Sequence, residues 1–175
     1  MVLFPMTLSA SALRTFLTAH PAAIVAELTA VRGSSPREAG AFMLIAPDAL
    51  TGTIGGGALE YMVIDRARQV LRDGLPDATM DIPLGPEIGQ CCGGRVEVSL
   101  RPADAEALVG RLQQAEANRP HVYLFGAGHV GQALARALAP LPLHVHVIDT
   151  RPDELAGLPA NVERRALAMP EAAVR

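Results

Sequence analysis

The spacing of apolar residues changes period several times along the chain, and each change marks an element. Over residues 8–20, Leu13, Phe16 and Leu17 recur at helical spacing, Ser9 or Ser11 can cap the run, and Pro21 stops it. Residues 23–31 are almost wholly apolar and read as a central strand. A polar loop dense in turn formers (residues 32–40) leads to a second strand at 41–45 and a turn at Pro47-Asp48. Beyond Gly55-Gly56-Gly57, positions Leu59, Met62, Val63, Ala67, Val70 and Leu71 lie on one helical face. Glu60, Asp65, Arg66, Arg68 and Arg72 are left for water, and Asp73-Gly74 closes the helix. Residues 78–84 read as a strand, and 95–100 alternate polar and apolar like a half-buried one. Residues 103–118 are helical, with Leu108, Val109, Leu112 and Ala115 inward, until Arg119-Pro120 breaks the pattern.

A run of another kind follows. His121–Phe125 is a buried strand, and Gly126-Ala127-Gly128-His129-Val130-Gly131 opens a helix expected over 132–138. A second strand over 143–148 ends at Asp149. Glycines in the GxGxxG pattern after a strand, with an acid about twenty residues on at the next strand tip, predict the start of a Rossmann βαβ unit. In that geometry Gly126 makes the turn, Gly128 admits a pyrophosphate and Gly131 lets helix and strand pack closely. Asp149 would accept from ribose hydroxyls, favouring NAD over NADP, with Arg151 nearby as a counter-signal. The remaining residues offer a short strand near Val162 and a helix start at Pro170, too little for a doubly wound sheet. Either the chain is cut inside this domain or another subunit completes the sheet; truncation is the favoured reading. Uncovered apolar edge surface then predicts a homo-oligomer, a dimer being the simplest.

The fold expected is α/β overall: a compact N-terminal α+β domain (1–102), a helical linker (103–120) and an incomplete Rossmann-like parallel βαβ domain (121–175). Composition narrows the partners. Half of the 175 residues are hydrophobic and the net charge is -3 with no basic stripe, which argues against a nucleic-acid ligand. Residues 1–5 lack the features of a signal peptide, and no apolar run approaches the ~20 residues that span a bilayer. Two adjacent cysteines cannot frame a secreted disulfide scaffold, so the expected compartment is the reducing cytoplasm, without membrane insertion.

Those cysteines carry the most pointed chemistry. Cys91 and Cys92 sit between glycines in Leu84-Gly-Pro-Glu-Ile-Gly-Gln-Cys-Cys-Gly-Gly94, just before a strand that can aim them. A thiolate there can ligate a soft metal, carry sulfur or attack an electrophile; the plain alternative is one small buried hydrophobe beside a bystander thiol. Arg37, after the stiffening Pro36, is placed to grip an anion or is simply a solvated arginine. The Gly55–Gly57 turn at a helix start is either a phosphate cradle of free N–H groups or a tight joint. His144 and His146 share a strand face at metal-ligand spacing, but no third ligand is near in sequence, so packing or surface roles are expected. The same holds for His20 and His121, while His129 could touch a phosphate from within its glycine loop.

Three segments together, Gly33-Ser-Ser-Pro-Arg-Glu-Ala-Gly-Ala41, Gly52-Thr-Ile-Gly-Gly-Gly-Ala-Leu-Glu60 and the cysteine segment above, resemble the XdhC/CoxI family of xanthine dehydrogenase accessory proteins. The resemblance covers nearly the whole chain. It implies a maturation chaperone rather than an enzyme: a protein that binds molybdenum cofactor as cargo, supports its sulfuration with a cysteine desulfurase, and delivers it to a xanthine dehydrogenase-type molybdenum hydroxylase. The family's Cys-Gly-Gly triplet falls on Cys92, with Cys91 at a more variable place. The cargo-handling set expected is Cys92 (towards molybdenum through the cofactor), Cys91, Gln90, Gly93, Arg37, Gly55, Gly56 and Gly57. The dinucleotide-binding set is Gly126, Gly128, Gly131 and Asp149, with NAD(P) as the implied ligand. A rival reading is an NAD(P)-dependent oxidoreductase, although no histidine or lysine with a supporting carboxylate stands out as its acid or base. A pure scaffold for the hydroxylase would bind no cofactor at all.

Overall fold

The computed structural model describes residues 8–89 and 93–169, which form two compact units, Leu8–Leu112 and the chain from Gln113 onward. The first contains α1 (Ala10–Ala19), β1 (Ile24–Arg32), β2 (Phe42–Ile45), β3 (Leu50–Gly52), α2 (Gly57–Asp73), β4 (Ala78–Pro83), β5 (Arg95–Pro102) and the start of α3 (Ala105–Ala117). Its strands form one antiparallel sheet in the order β3-β2-β1-β5-β4. Alternation along β1 explains its nearly continuous apolar sequence, because both faces of the sheet are covered. Ile24, Ala26 and Leu28 meet Leu59, Val63, Ala67 and Val70 of α2, while Ala23 and Val25 meet Leu13 and Leu17 of α1 and Leu108 and Val109 of α3. The first half of α3 therefore belongs to the core of this unit.

Local signals set the element ends. Of the two candidate caps, Ser9 accepts the Ala12 N–H, and α2 ends on Gly74 in the left-handed conformation. The face of β1 covered by α1 and α3 also carries a polar cluster, in which the half-buried Glu27 binds Arg101 (2.9 Å) and Arg111, whose guanidinium lies 4.8 Å over the Phe42 ring. A bulge at Thr29 breaks the register between β1 and β5, and its hydroxyl donates to Glu97. The expected elements are present, with one addition. β3 pairs Leu50 to Gly52 with Ile45 to Met43, where the sequence read as loop, because three residues are too few to show a period.

The second unit holds β6 (His121–Phe125), α4 (His129–Leu138), β7 (His144–Asp149) and β8 (Glu163–Ala166), a parallel sheet in the order β6-β7-β8. Its core is Ala127, Ala135, Val145, Val147, Leu155, Leu158 and Val162. The short strand expected near Val162 is β8, and α4 begins at His129, inside the glycine motif and earlier than its sequence predicts. The helix expected from Pro170 lies outside the described residues. An antiparallel sheet with helices followed by a parallel Rossmann-like part is the α/β architecture expected. Among the described residues, no helix is long and apolar enough to cross a membrane.

Candidate functional site

The three family-like segments, far apart in sequence, meet at one end of the antiparallel sheet. Leu84 and Gly93-Gly94 pair across the base of the cysteine loop: Leu84 N–H donates to Gly94 O (2.7 Å) and Gly93 N–H to Leu84 O (2.6 Å). A side chain at Gly94 would run into the Ser34 carbonyl and come within 2.8 Å of Arg32 O, so the 32–34 backbone packs directly on this neck. On the other side of that loop, a Cβ at Gly55 would collide with the Pro36 ring and lie 3.7 Å from Arg37 Cγ. The segment bearing Arg37 is thus wedged between the Gly55–Gly57 turn and the Gly93–Gly94 neck. Gln90, Cys91 and Cys92 lie outside the described residues.

Arg37 is half-buried and, with Pro36, Glu38, Ala39 and Ala41, lines an open cavity of about 420 Å³. Among the described residues no carboxylate neutralises its guanidinium, which leaves it available to an anion.

The glycine turn is built differently from the expected row of free N–H groups. Gly55, Gly56 and Gly57 all have positive φ (131°, 80° and 65°), a run only glycine adopts without strain. The Glu60 carboxylate folds back from the first turn of α2 into this turn. Its Oε1 accepts from Ile54 N (3.0 Å), Gly56 N (2.9 Å) and the Thr53 hydroxyl (2.6 Å), and Gly55 N donates to Thr53 Oγ1 (3.1 Å). An internal carboxylate therefore occupies the place where the sequence suggested an external phosphate, and Glu60 is a cap rather than a solvated charge. The signal that could have found it was an acid in the first turn after a glycine run.

In the second unit the glycine motif has the expected packing. A Cβ at Gly131 would strike the Gly126 carbonyl, whereas Gly128, the N-cap of α4, has open space around its Cα. Gly126, Gly128, His129, Val130, Gly131 and Leu134 line a cleft of about 430 Å³ beside Tyr123 and Phe125. Asp149 is buried and fully engaged. Its Oδ2 accepts from Ala127 N (2.7 Å) and Arg151 Nη2 (3.1 Å), and its Oδ1 from Arg151 N (2.8 Å) and Nε (3.0 Å). The Arg151 guanidinium first, then the two backbone donors, hold this carboxyl far below the usual range. Asp149 thus latches the tip of β7 to the glycine loop, and a ribose would have to compete with Arg151 for it.

The histidines divide. His20 lies 3.5 Å from Asp48, and His129 lines the cleft. His144 and His146 do share a face, but His144 Nε2 sits 2.8 Å from Glu116 O, and among the described residues no group of histidine, cysteine and acidic side chains is arranged to hold a metal ion.

Comparison with known proteins places this geometry. Residues 16–82 match the XdhC and CoxI family. The chain is 30% identical over 128 residues to the uncharacterized protein YqeB of Escherichia coli K12, a match covering 71% of this chain and only 21% of that protein, so it spans about a fifth of its relative's length. The fold resembles the crystal structure of a xanthine dehydrogenase from Bacillus halodurans with a TM-score of 0.77 over 96% of this chain and 70% of that one; at 18% identity the likeness is one of fold. Three family-like segments are gathered at one sheet end, and residues 16–82, which run through two of them, are similar to the XdhC and CoxI family.

Proposed function

We propose that this protein is an accessory factor for a xanthine dehydrogenase-type molybdenum hydroxylase, binding molybdenum cofactor as cargo and supporting its sulfuration with a cysteine desulfurase before delivery. The observation that supports this most is the convergence of the Arg37 segment, the Gly55–Gly57 turn and the Gly93–Gly94 neck, which joins an unneutralised cation to the base of a loop carrying two thiols. The cargo is an anionic pterin whose metal is held by sulfur, and those are the two chemistries this corner offers. In this reading Arg37 holds the phosphate or pterin. Cys92, assisted by Cys91, Gln90 and Gly93, approaches the metal or its exchangeable sulfur. The glycine turn shapes the wall through its backbone, because Glu60 already takes its N–H groups at 54 and 56. A homo-oligomer in the cytoplasm belongs to the same proposal.

The test is anaerobic incubation with purified molybdenum cofactor, then gel filtration and metal analysis of wild type, Cys92→Ala and Arg37→Ala. Molybdenum co-eluting with wild type and lost from Cys92→Ala is the expected result. Equal molybdenum on wild type and Cys92→Ala removes the thiol from the mechanism, and none on wild type refutes cargo binding by this chain.

One observation favours a second reading, an NAD(P)-dependent oxidoreductase: the open cleft at Gly128 suits a pyrophosphate. The residues fit such a ligand in part, since the glycine loop can cradle it while the expected ribose acceptor, Asp149, is held by Arg151. Calorimetric titration with NADH and NADPH distinguishes this reading, which requires saturable binding that Gly128→Val abolishes.

A further inference from the structure

Asp149 stands where a Rossmann-like unit offers a carboxylate to the hydroxyls of a ligand's ribose. A carboxylate has about four acceptor positions, and in this chain all of them are filled. Ala127 N (2.7 Å) and Arg151 Nη2 (3.1 Å) donate to Oδ2, and Arg151 N (2.8 Å) and Nε (3.0 Å) donate to Oδ1. The two backbone donors are fixed by the fold. The other two are the fork of one guanidinium, on a side chain that is 61% exposed. Arg151 is therefore the donor that can leave Asp149 without disturbing the sheet or the glycine loop.

The guanidinium is braced in that position. Its Nη1 donates to Glu154 Oε1 (3.3 Å), and Glu154 O accepts from Gln132 Nε2 (3.2 Å) on α4. Gln132 Oε1 accepts in turn from Arg136 Nη2 (3.1 Å), which also reaches Gly157 O (3.4 Å). Leu155, buried in the core of this unit, pins the turn that carries Glu154. A ring of contacts thus starts at the Ala127 N–H of the glycine loop, passes through Asp149, Arg151 and Glu154, and closes on α4, the helix that this loop opens.

We propose that Arg151 is a gate on this site: it keeps the ribose acceptor occupied, and a nucleotide engages Asp149 only by displacing the guanidinium fork. The inference rests on the NAD(P) reading of the second unit given above. A ribose hydroxyl brings a donor without a charge, so the exchange gives up the ion-pair attraction and the planar two-bond geometry. The affinity for a ribose-bearing ligand is thereby held below what the glycine loop and Asp149 would give alone. A pyrophosphate seated at Gly128 has no hydroxyl to offer Asp149 and does not meet this cost.

The test is calorimetric titration of the full chain with NADH and, separately, with inorganic pyrophosphate, for wild type, Arg151→Ala and Arg151→Lys. Arg151→Ala should bind NADH about tenfold more tightly than wild type, the worth of one bond to a charged group that no longer has to be broken. Arg151→Lys keeps the cation but cannot fork, and should fall between the two. Pyrophosphate should show no gain in either variant. In wild type, saturation with NADH should speed solvent exchange of the Arg151 Nε proton followed by NMR, a change that a purely structural ion pair would not show. Equal or weaker NADH binding by Arg151→Ala, or a matching gain for pyrophosphate, overturns the gate and leaves the NAD(P) reading standing. No NADH binding by any of the three proteins refutes both. Should Arg151→Ala fail to fold, Arg151→Lys binding NADH no better than wild type still decides against the gate.

Discussion

Glu60 is the residue whose removal tests the reading of the glycine turn most directly. Its carboxylate takes three donors, the N–H groups of Ile54 and Gly56 and the Thr53 hydroxyl, at 2.6–3.0 Å. Glu60→Ala leaves those donors without their acceptor and withdraws a negative charge from the positive end of a 17-residue helix. Hydrogen bonds to a charged group contribute roughly 1.5–3 kcal/mol each when shielded. These are only part-buried and water can replace some of them, so a total of about 2–3 kcal/mol is expected, helix-dipole effect included. For a domain of this size that lowers the unfolding midpoint by on the order of 10 °C. Glu60→Gln keeps one carbonyl acceptor and should lose about half as much. Differential scanning calorimetry of the three proteins measures it, with hydrogen exchange at Ile54 and Gly56 as the local readout. An Ala variant within about 2 °C of wild type, with protection at Gly56 unchanged, would refute the claim that the carboxylate holds the turn.

Two further outcomes follow from the same geometry. Gly94→Ala drives a methyl into the backbone of residues 32–34, so it should cost more than 2 kcal/mol in urea unfolding and displace the amide resonances of Ser34 and Leu84, whereas Gly128→Ala, with open space around it, should be nearly silent. Asp149, held far below the usual carboxylate range mainly by Arg151, stays ionised through mild acid; its contribution is constant above its unfolded value of about 3.9 and declines only below it, which the carbon-13 shift of its carboxyl checks.

Much of this fold was legible because its signals are local. The apolar run that became β1, the helical spacing of Leu59, Val63, Ala67 and Val70, and the GxGxxG motif between β6 and α4 each carry a period or a turn requirement within one segment. What escaped was set by where side chains turn in the folded chain, even when their partners lie close in sequence. An acid in the first turn after a glycine run hints at a cap, but only the folded turn brings the Glu60 carboxylate onto the N–H groups of Ile54 and Gly56. Asp149 matched the ribose-binding pattern by position, yet Arg151, two residues on, captures it through both guanidinium and backbone. His144 and His146 were read as sharing a strand face without a further partner, and His121 as a packing or surface residue, because β6, β7 and β8 come into register only in the sheet, where His121 meets His144 and His146 meets Glu163. The convergence of the three family-like segments was implied by resemblance, but the wedge of residues 34–37 between two glycine turns depends on strand order, which no single segment encodes.

The neck formed by Leu84, Gly93 and Gly94 has a consequence for how this protein can vary. A loop whose two ends are already joined by paired hydrogen bonds and pressed against a neighbouring backbone has met its closure entropy as part of folding the sheet. Substitutions or small insertions between those ends can change the chemistry on offer without altering the register of β4 or β5. Selection on the chemistry of this corner can therefore act inside the loop, while the scaffold beneath it keeps its stability.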